Sequence, residues 1–148
     1  MDRPFCSVFA RSKMWFAPIF ALLFTTVLNL GAAQSDCARE HTVVAGDTCN
    51  GISAALNVST FQLAHVNTVI DAACDNLQIG QVLCLGIIGQ DCNATDIVVS
   101  GDSCGAIALA NDIDLATLLV NNRNVNSACS NLLIGTVLCV AAGIIPYT

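Results

Sequence analysis

The sequence predicts an α+β chain: two tandem copies of one small strand–helix–helix–strand module, each stapled by disulfides, behind an N-terminal export segment. Three observations carry this. Four cysteines recur at one offset, with Cys37, Cys49, Cys74 and Cys84 each followed 55 residues later by Cys92, Cys104, Cys129 and Cys139. His41 to Leu85 aligns without a gap on Asp96 to Val140 with 18 identities in 45 positions, the mark of a duplication. Within each copy, local signals give the same order of elements.

The export segment comes first. Arg3, Arg11 and Lys13 form a basic start, Met14 to Leu30 is apolar and uncharged, and Gly31, Ala32 and Ala33 supply the small residues a signal peptidase needs. Cleavage is expected after Ala33, which assigns residues 1–33 to a signal peptide; an uncut signal anchor is the competing reading, since about 17 apolar residues is near the lower limit of a membrane span. No second apolar run of that length follows, so no membrane association is expected once it is removed.

The modules are read at 40–85 and 95–140, with 86–94 as linker and 141–148 as a C-terminal tail. Thr42-Val43-Val44 and Ile97-Val98-Val99 are β-branched runs that read as opening strands. Gly46 and Gly101 punctuate, and Asp47 and Asp102 stand at the expected N-cap of a first helix that carries Ile52, Ala55 and Leu56, or Ile107 and Ala110. A second helix is expected from Ser59 or Asp114. Ser59 with Gln62 matches a capping box, and Val58 with Leu63, like Ile113 with Leu118, occupies the positions of a hydrophobic staple. These helices are expected to end near Asn67 and Asn122. Val82 to Leu85 and Val137 to Val140 then read as closing strands, each entered through a glycine turn.

Cysteine and charge narrow the function. With Cys6 inside the signal, eight cysteines remain in about 115 exported residues, which implies four disulfides rather than a metal or redox centre. No two of them are closer than eight residues, so the close pairs of a zinc site are lacking. Neither a metal nor a cofactor is expected. A module this small needs such staples, since its apolar core gives little margin. Four cysteines per module allow three pairings; bridges are expected within modules, with the connectivity open. Past residue 33 only Arg39 and Arg123 face ten acids, a net charge near −8, which disfavours nucleic-acid and anionic-membrane partners.

The segments His41-Thr42-Val43-Val44-Ala45-Gly46-Asp47-Thr48-Cys49, Leu63 to Asn67, and Asn76-Leu77-Gln78-Ile79-Gly80-Gln81-Val82-Leu83-Cys84-Leu85 resemble the fungal form of the LysM domain. The second copy repeats them with Val98-Val99-Ser100-Gly101-Asp102-Ser103-Cys104 and Asn131-Leu132-Leu133-Ile134-Gly135-Thr136-Val137-Leu138-Cys139-Val140. The resemblance implies a βααβ fold with both helices on one face of a two-stranded antiparallel sheet. It also implies binding of N-acetylglucosamine polymers, chiefly chitin or chitooligosaccharides, between two loops. Carried onto this chain, those loops give Gly46, Asp47, Thr48, Thr68, Val69, Ile70 and Asp71 in the first copy. In the second they give Gly101, Asp102, Ser103, Arg123, Asn124, Val125 and Asn126. The family commonly has proline after the helix-ending Asn, where this chain has Thr68 and Arg123.

The chemistry suits such a ligand. Loop amides pair with an acetamido group, Ile70 or Val125 covers its methyl, and no ionised group is required. For Asp47 and Asp102, helix capping is the competing role; for Asn67 and Asn122, helix termination and an internal hydrogen bond. Two sequons, Asn57-Val58-Ser59 and Asn93-Ala94-Thr95, offer N-glycosylation sites. Catalysis has little material: Glu40 is the one glutamate after the signal, Asp47 and Asp102 sit in different modules, and His41 and His65 lack counterparts in the second copy. The expected protein is therefore a secreted, non-catalytic effector, extracellular or on the cell wall. Sequestering chitin from host receptors and shielding the wall from chitinases are the expected roles, and a ligand-bridged dimer is an allowed state. A peptidoglycan-binding module and a hydrophobin-like surface protein are the alternatives, though the adjacent cysteine pairs of hydrophobins are lacking.

Overall fold

A computed structural model describes residues 36–71 and 73–147; the signal read at 1–33 lies outside them. The first copy runs β1 (Cys37–Thr42), α1 (Cys49–Leu56), α2 (Thr60–Val66) and β2 (Val82–Ile87). The second repeats the order as β3 (Thr95–Ile97), α3 (Cys104–Ala110), α4 (Leu115–Asn121) and β4 (Val137–Cys139). Two antiparallel two-stranded sheets result, β1 with β2 and β3 with β4, in register His41 to Leu83 and Asp96 to Leu138. The α+β architecture read from the sequence stands, with four disulfides.

The opening strands sit earlier than the β-branched runs suggested. β1 ends at Thr42 and β3 at Ile97, so most of each valine run lies past its strand. Val43 still pairs with the closing segment, donating to Gln81 O at 2.8 Å and accepting from Gly80 N at 2.8 Å, and with Val98 it enters the core. The half-buried face of β1 carries Cys37, Arg39 and His41, which are held by a disulfide, the Arg39–Asp91 ion pair and a contact of His41 Nε2 with Asp47 instead of by apolar burial. The closing strand β2 runs to Ile87, inside the segment read as linker.

The first-helix caps also differ from expectation. Thr48 and Ser103, not Asp47 and Asp102, are the N-caps, their hydroxyls accepting from Gly51 N and Ala106 N. The aspartates one residue earlier turn back, Asp47 Oδ2 accepting from Val44 N at 2.9 Å and Asp102 Oδ2 from Val99 N at 2.8 Å. They staple the loop whose glycines, Gly46 and Gly101, hold φ of 92° and 93°, a region open to residues without a Cβ. Ser59 caps α2 as read, accepting from Gln62 N at 3.1 Å, but the Gln62 side chain turns elsewhere, so the capping box is half formed. Asp114 holds the cap position of α4 without a side-chain cap bond. Val58 and Leu63 share one core, and Ile113 packs on the core containing Leu118, as the staples require.

Asn67 and Asn122 end their helices and clamp them to the sheet. Each is buried; Asn67 Nδ2 donates to Leu63 O and Cys84 O while its Oδ1 accepts from Cys84 N, and Asn122 repeats this on Leu118 and Cys139. The bridges pair Cys37 with Cys84, Cys49 with Cys74, Cys92 with Cys139, and Cys104 with Cys129, all within a copy and at equivalent positions. One ties the strands together; the other ties the start of the first helix to the loop after the second. Equivalent residues form a separate core in each copy: Val43, Ile52, Leu63 and Leu83 in the first, Val98, Ile107, Leu118 and Leu138 in the second.

The copies nonetheless join in one compact unit, 32–148. Val82 of β2 is 58% exposed, whereas its counterpart Val137 of β4 is 0% exposed. The difference is the first module, whose α1 and α2 pack on β4 and whose Thr60 Oγ1 accepts from Val137 N at 3.0 Å.

Candidate binding groove

The seam between the modules opens into a groove of about 660 Å³, within the range of sites that enclose small ligands. One wall is the start of α1 with Thr48, Cys49 and Asn50, and a second is the loop after α2 with Ile70, Asp71 and Asp75. α2 supplies Thr60, Leu63 and Ala64 as floor. The far wall comes from the second module, with Asn124, Val125, Asn131, Leu132, Leu133 and Thr136.

Five of the fourteen residues expected to bind are thereby brought together: Thr48, Ile70, Asp71, Asn124 and Val125. Gly46, Asp47, Thr68 and Val69 of the first copy, and Gly101, Asp102, Ser103, Arg123 and Asn126 of the second, are not in its lining. The groove therefore draws on both loops of the first module but only the later loop of the second. Asn50, Thr60 and Asn131 to Leu133 were not anticipated, because the seam that recruits them is a long-range contact. A signal for that seam does exist in the sequence. Of the seven aligned positions of α2 and α4 only Leu63 and Leu118 agree, so the two second helices diverge far more than the loops and strands around them.

Side-chain brackets hold the loops without proline. Asn76 Nδ2 donates to Val69 O at 2.7 Å and its Oδ1 accepts from Asp71 N at 3.1 Å; Asn131 does the same on Asn124 O at 2.8 Å and Asn126 N at 2.9 Å. Asp71 Oδ1 accepts from Asp75 N at 3.0 Å, and the bridge from Cys49 to Cys74 ties this loop to the start of α1. The lining is mainly neutral hydroxyl, amide and aliphatic, with two carboxylates, Asp71 and Asp75, at one side.

Outside the groove, two carboxylates are held by partners. Asp47 lies 2.7 Å from His41 Nε2, and its carboxyl is held below the ordinary range first by the Val44 N–H and then by His41. The Arg39 guanidinium grips Asp91 through two contacts of 2.7 Å and holds that carboxyl below the ordinary range, helped by Gln62 and opposed by burial. Among the described residues no three His, Cys, Asp or Glu side chains cluster to hold a metal, and no single helix is long and apolar enough to cross a membrane.

The family model described as LysM domain matches residues 41–86 and 97–141. The secreted LysM effector LysM1 of Trichophyton rubrum is 30% identical over 71% of this chain and 51% of its own length. Secreted LysM effector LysM2 of Penicillium expansum is 28% identical over 78% of this chain and 36% of that protein. Secreted LysM effector ldpA of Aspergillus fumigatus is 26% identical over 72% of this chain and 36% of that protein. The chain thus spans about half the length of the first of these relatives and smaller shares of the others.

Proposed function

Since the chain belongs to the LysM family, we propose that it is a secreted, non-catalytic effector that binds one chitin oligosaccharide in the groove between its modules. The groove carries the reading: a cleft of about 660 Å³ whose walls mix neutral hydrogen-bonding groups with aliphatic side chains. N-acetylglucosamine offers the complementary chemistry. Its amide and hydroxyls meet Thr48, Asn50, Asn124 and Asn131, and its methyl meets Ile70, Val125 or Leu133. Such a site excludes water from the apolar parts while fixing the ligand through a few polar groups.

The groove also favours chitin over peptidoglycan. Muramic acid and its stem peptide bring carboxylates, which would face Asp71 and Asp75 at close range, whereas chitin is uncharged. One of the two groove carboxylates, Asp71, braces its own loop by accepting from the Asp75 N–H. The sequons fit the same picture. Asn57 ends α1, whose start lines the groove, about 10 Å away at 1.5 Å per residue. Asn93 precedes Ala94, whose carbonyl accepts from Val140 N, about 13 Å along the chain from Thr136 in the groove. Neither asparagine is in the groove lining. Bound oligomers would be withheld from host receptors, and protein bound on a wall would shield it from chitinases.

Titration calorimetry with chitooligomers of increasing length tests this. One ligand per chain is expected, with affinity rising with length until the groove is filled, and with peptidoglycan fragments failing to compete. Two independent sites per chain, or no binding to the hexamer, would remove the claim.

A further inference from the structure

The C-terminal segment, read from the sequence as a tail, is built into the seam. Asn121, buried at the end of α4, donates through Nδ2 to Gly143 O at 2.9 Å and accepts at Oδ1 from Ile145 N at 2.8 Å. This carries the chain back from the second module to the first, where Tyr147 is 4% exposed. Its ring meets Phe61 edge-on, centroids 5.1 Å apart, and His65 at 5.6 Å. Its hydroxyl donates to Gln62 Oε1 at 2.9 Å.

Gln62 is the hub that receives it. Nε2 donates to Leu85 O at 2.6 Å and Asp91 Oδ1 at 2.7 Å, while Oε1 accepts from Cys92 N at 2.8 Å and from Tyr147. Two donors and two acceptor positions are all used, so the amide has one orientation and no spare capacity. The site is also tight: a Cβ on Gly86 would overlap both the Asp91 carboxylate and the Gln62 amide. One side chain of the first module thus joins its own closing strand, the linker and the end of the second module.

α2 has two working faces. Thr60, Leu63 and Ala64 line the groove, whereas Phe61, Gln62 and His65 meet the tail, a division set by three- and four-residue helical spacing. The second copy has Ala116, Thr117 and Val120 at the latter positions. The receiving surface therefore belongs to the first copy alone.

We propose that Tyr147 is a positioning residue for the groove: without touching its lining, it locks the second module against α2 and so sets where the wall of Asn124, Asn131 and Leu133 stands. The inference rests on the chitin reading of the groove. Apparent affinity scales with the fraction of molecules whose seam is closed, so a seam closed one tenth of the time weakens binding about tenfold. Each module keeps two bridges of its own, so losing the latch need not unfold either.

The experiment compares Tyr147→Ala, Tyr147→Phe, Phe61→Ala and the double alanine variant with the unaltered chain. Chitohexaose affinity is measured by calorimetry and exchange of the Val137 amide by mass spectrometry. Tyr147→Ala and Phe61→Ala are each expected to weaken binding at least about fivefold and to speed Val137 exchange. The double variant should add little to either, because both remove one contact. Tyr147→Phe keeps the ring and is expected to stay within about threefold, since what it loses is hydroxyl hydrogen bonding of modest net worth. Faster Val137 exchange with unchanged affinity in Tyr147→Ala would overturn the positioning role while leaving the chitin reading intact. Additive losses in the double variant would overturn it too. If the unaltered chain does not bind chitohexaose, the chitin reading fails, and the positioning role with it; faster Val137 exchange would then describe a seam without a ligand.

Discussion

Alkaline titration of the one tyrosine in the chain gives the sharpest test of the seam. Burial pushes the Tyr147 hydroxyl up to about 12, where an exposed phenol ionises near 10. A group whose value is raised on folding contributes its stability fully below the unfolded value and loses it as pH rises through the folded one. The contribution of Tyr147 to the seam should therefore be constant up to about pH 10 and be lost between about 10 and 12. That difference corresponds to about 2.7 kcal/mol, which solvent screening at the margin of the seam reduces to about 1–2 kcal/mol. The assay is absorbance near 295 nm, recorded within seconds of mixing so that disulfide chemistry does not intervene. A midpoint near 12 is expected for the native chain, falling to about 10 in denaturant with reductant. A native midpoint near 10 would mean that Tyr147 lies in water, and the latch would fall with it.

Two further outcomes follow from buried polar contacts. Asn122→Ala leaves the N–H and C=O of the fully buried Cys139 without partners, so a loss of about 2–4 kcal/mol is expected in urea unfolding. A loss below about 0.5 kcal/mol would refute the clamp, and Asn67→Ala should behave alike. Asp91, held below the ordinary carboxylate range by Arg39, contributes stability above its unfolded value near 3.9 and loses it as pH falls through the folded value. Thermal unfolding of the native chain should therefore lose stability more steeply below about pH 4 than that of Asp91→Asn. Parallel acid profiles would sink the assignment.

The repeat, the module order and the helix ends were legible because they rest on short-range signals: spaced cysteines, Ser59 before α2, and Asn67 and Asn122 after the second helices. Two local readings missed for physical reasons. Asp47 and Asp102 are good caps by type, but a neighbouring hydroxyl reached the helix N–H groups first, leaving the carboxylates to bond the Val44 and Val99 amides. β1 has the sequence CAREHT, which lacks an apolar face, and its position is fixed by pairing with β2 and by Arg39 and His41 finding Asp91 and Asp47. The groove was half legible. Thr48, Ile70, Asp71, Asn124 and Val125 were anticipated by resemblance, but their meeting in one groove depends on how Val137 docks under α2, a contact across 77 residues of chain.

None of the four bridges crosses the seam. The covalent reinforcement stops at the edge of each module, and the latch that joins them hangs on a strand of backbone whose residues Ala142, Gly143 and Ile144 are exposed. A protease that clips there would release Tyr147 while leaving both modules and every disulfide whole. Cleavage there would thus loosen the seam without touching a disulfide, a change that oxidation state would not reveal but that exchange of the Val137 amide would.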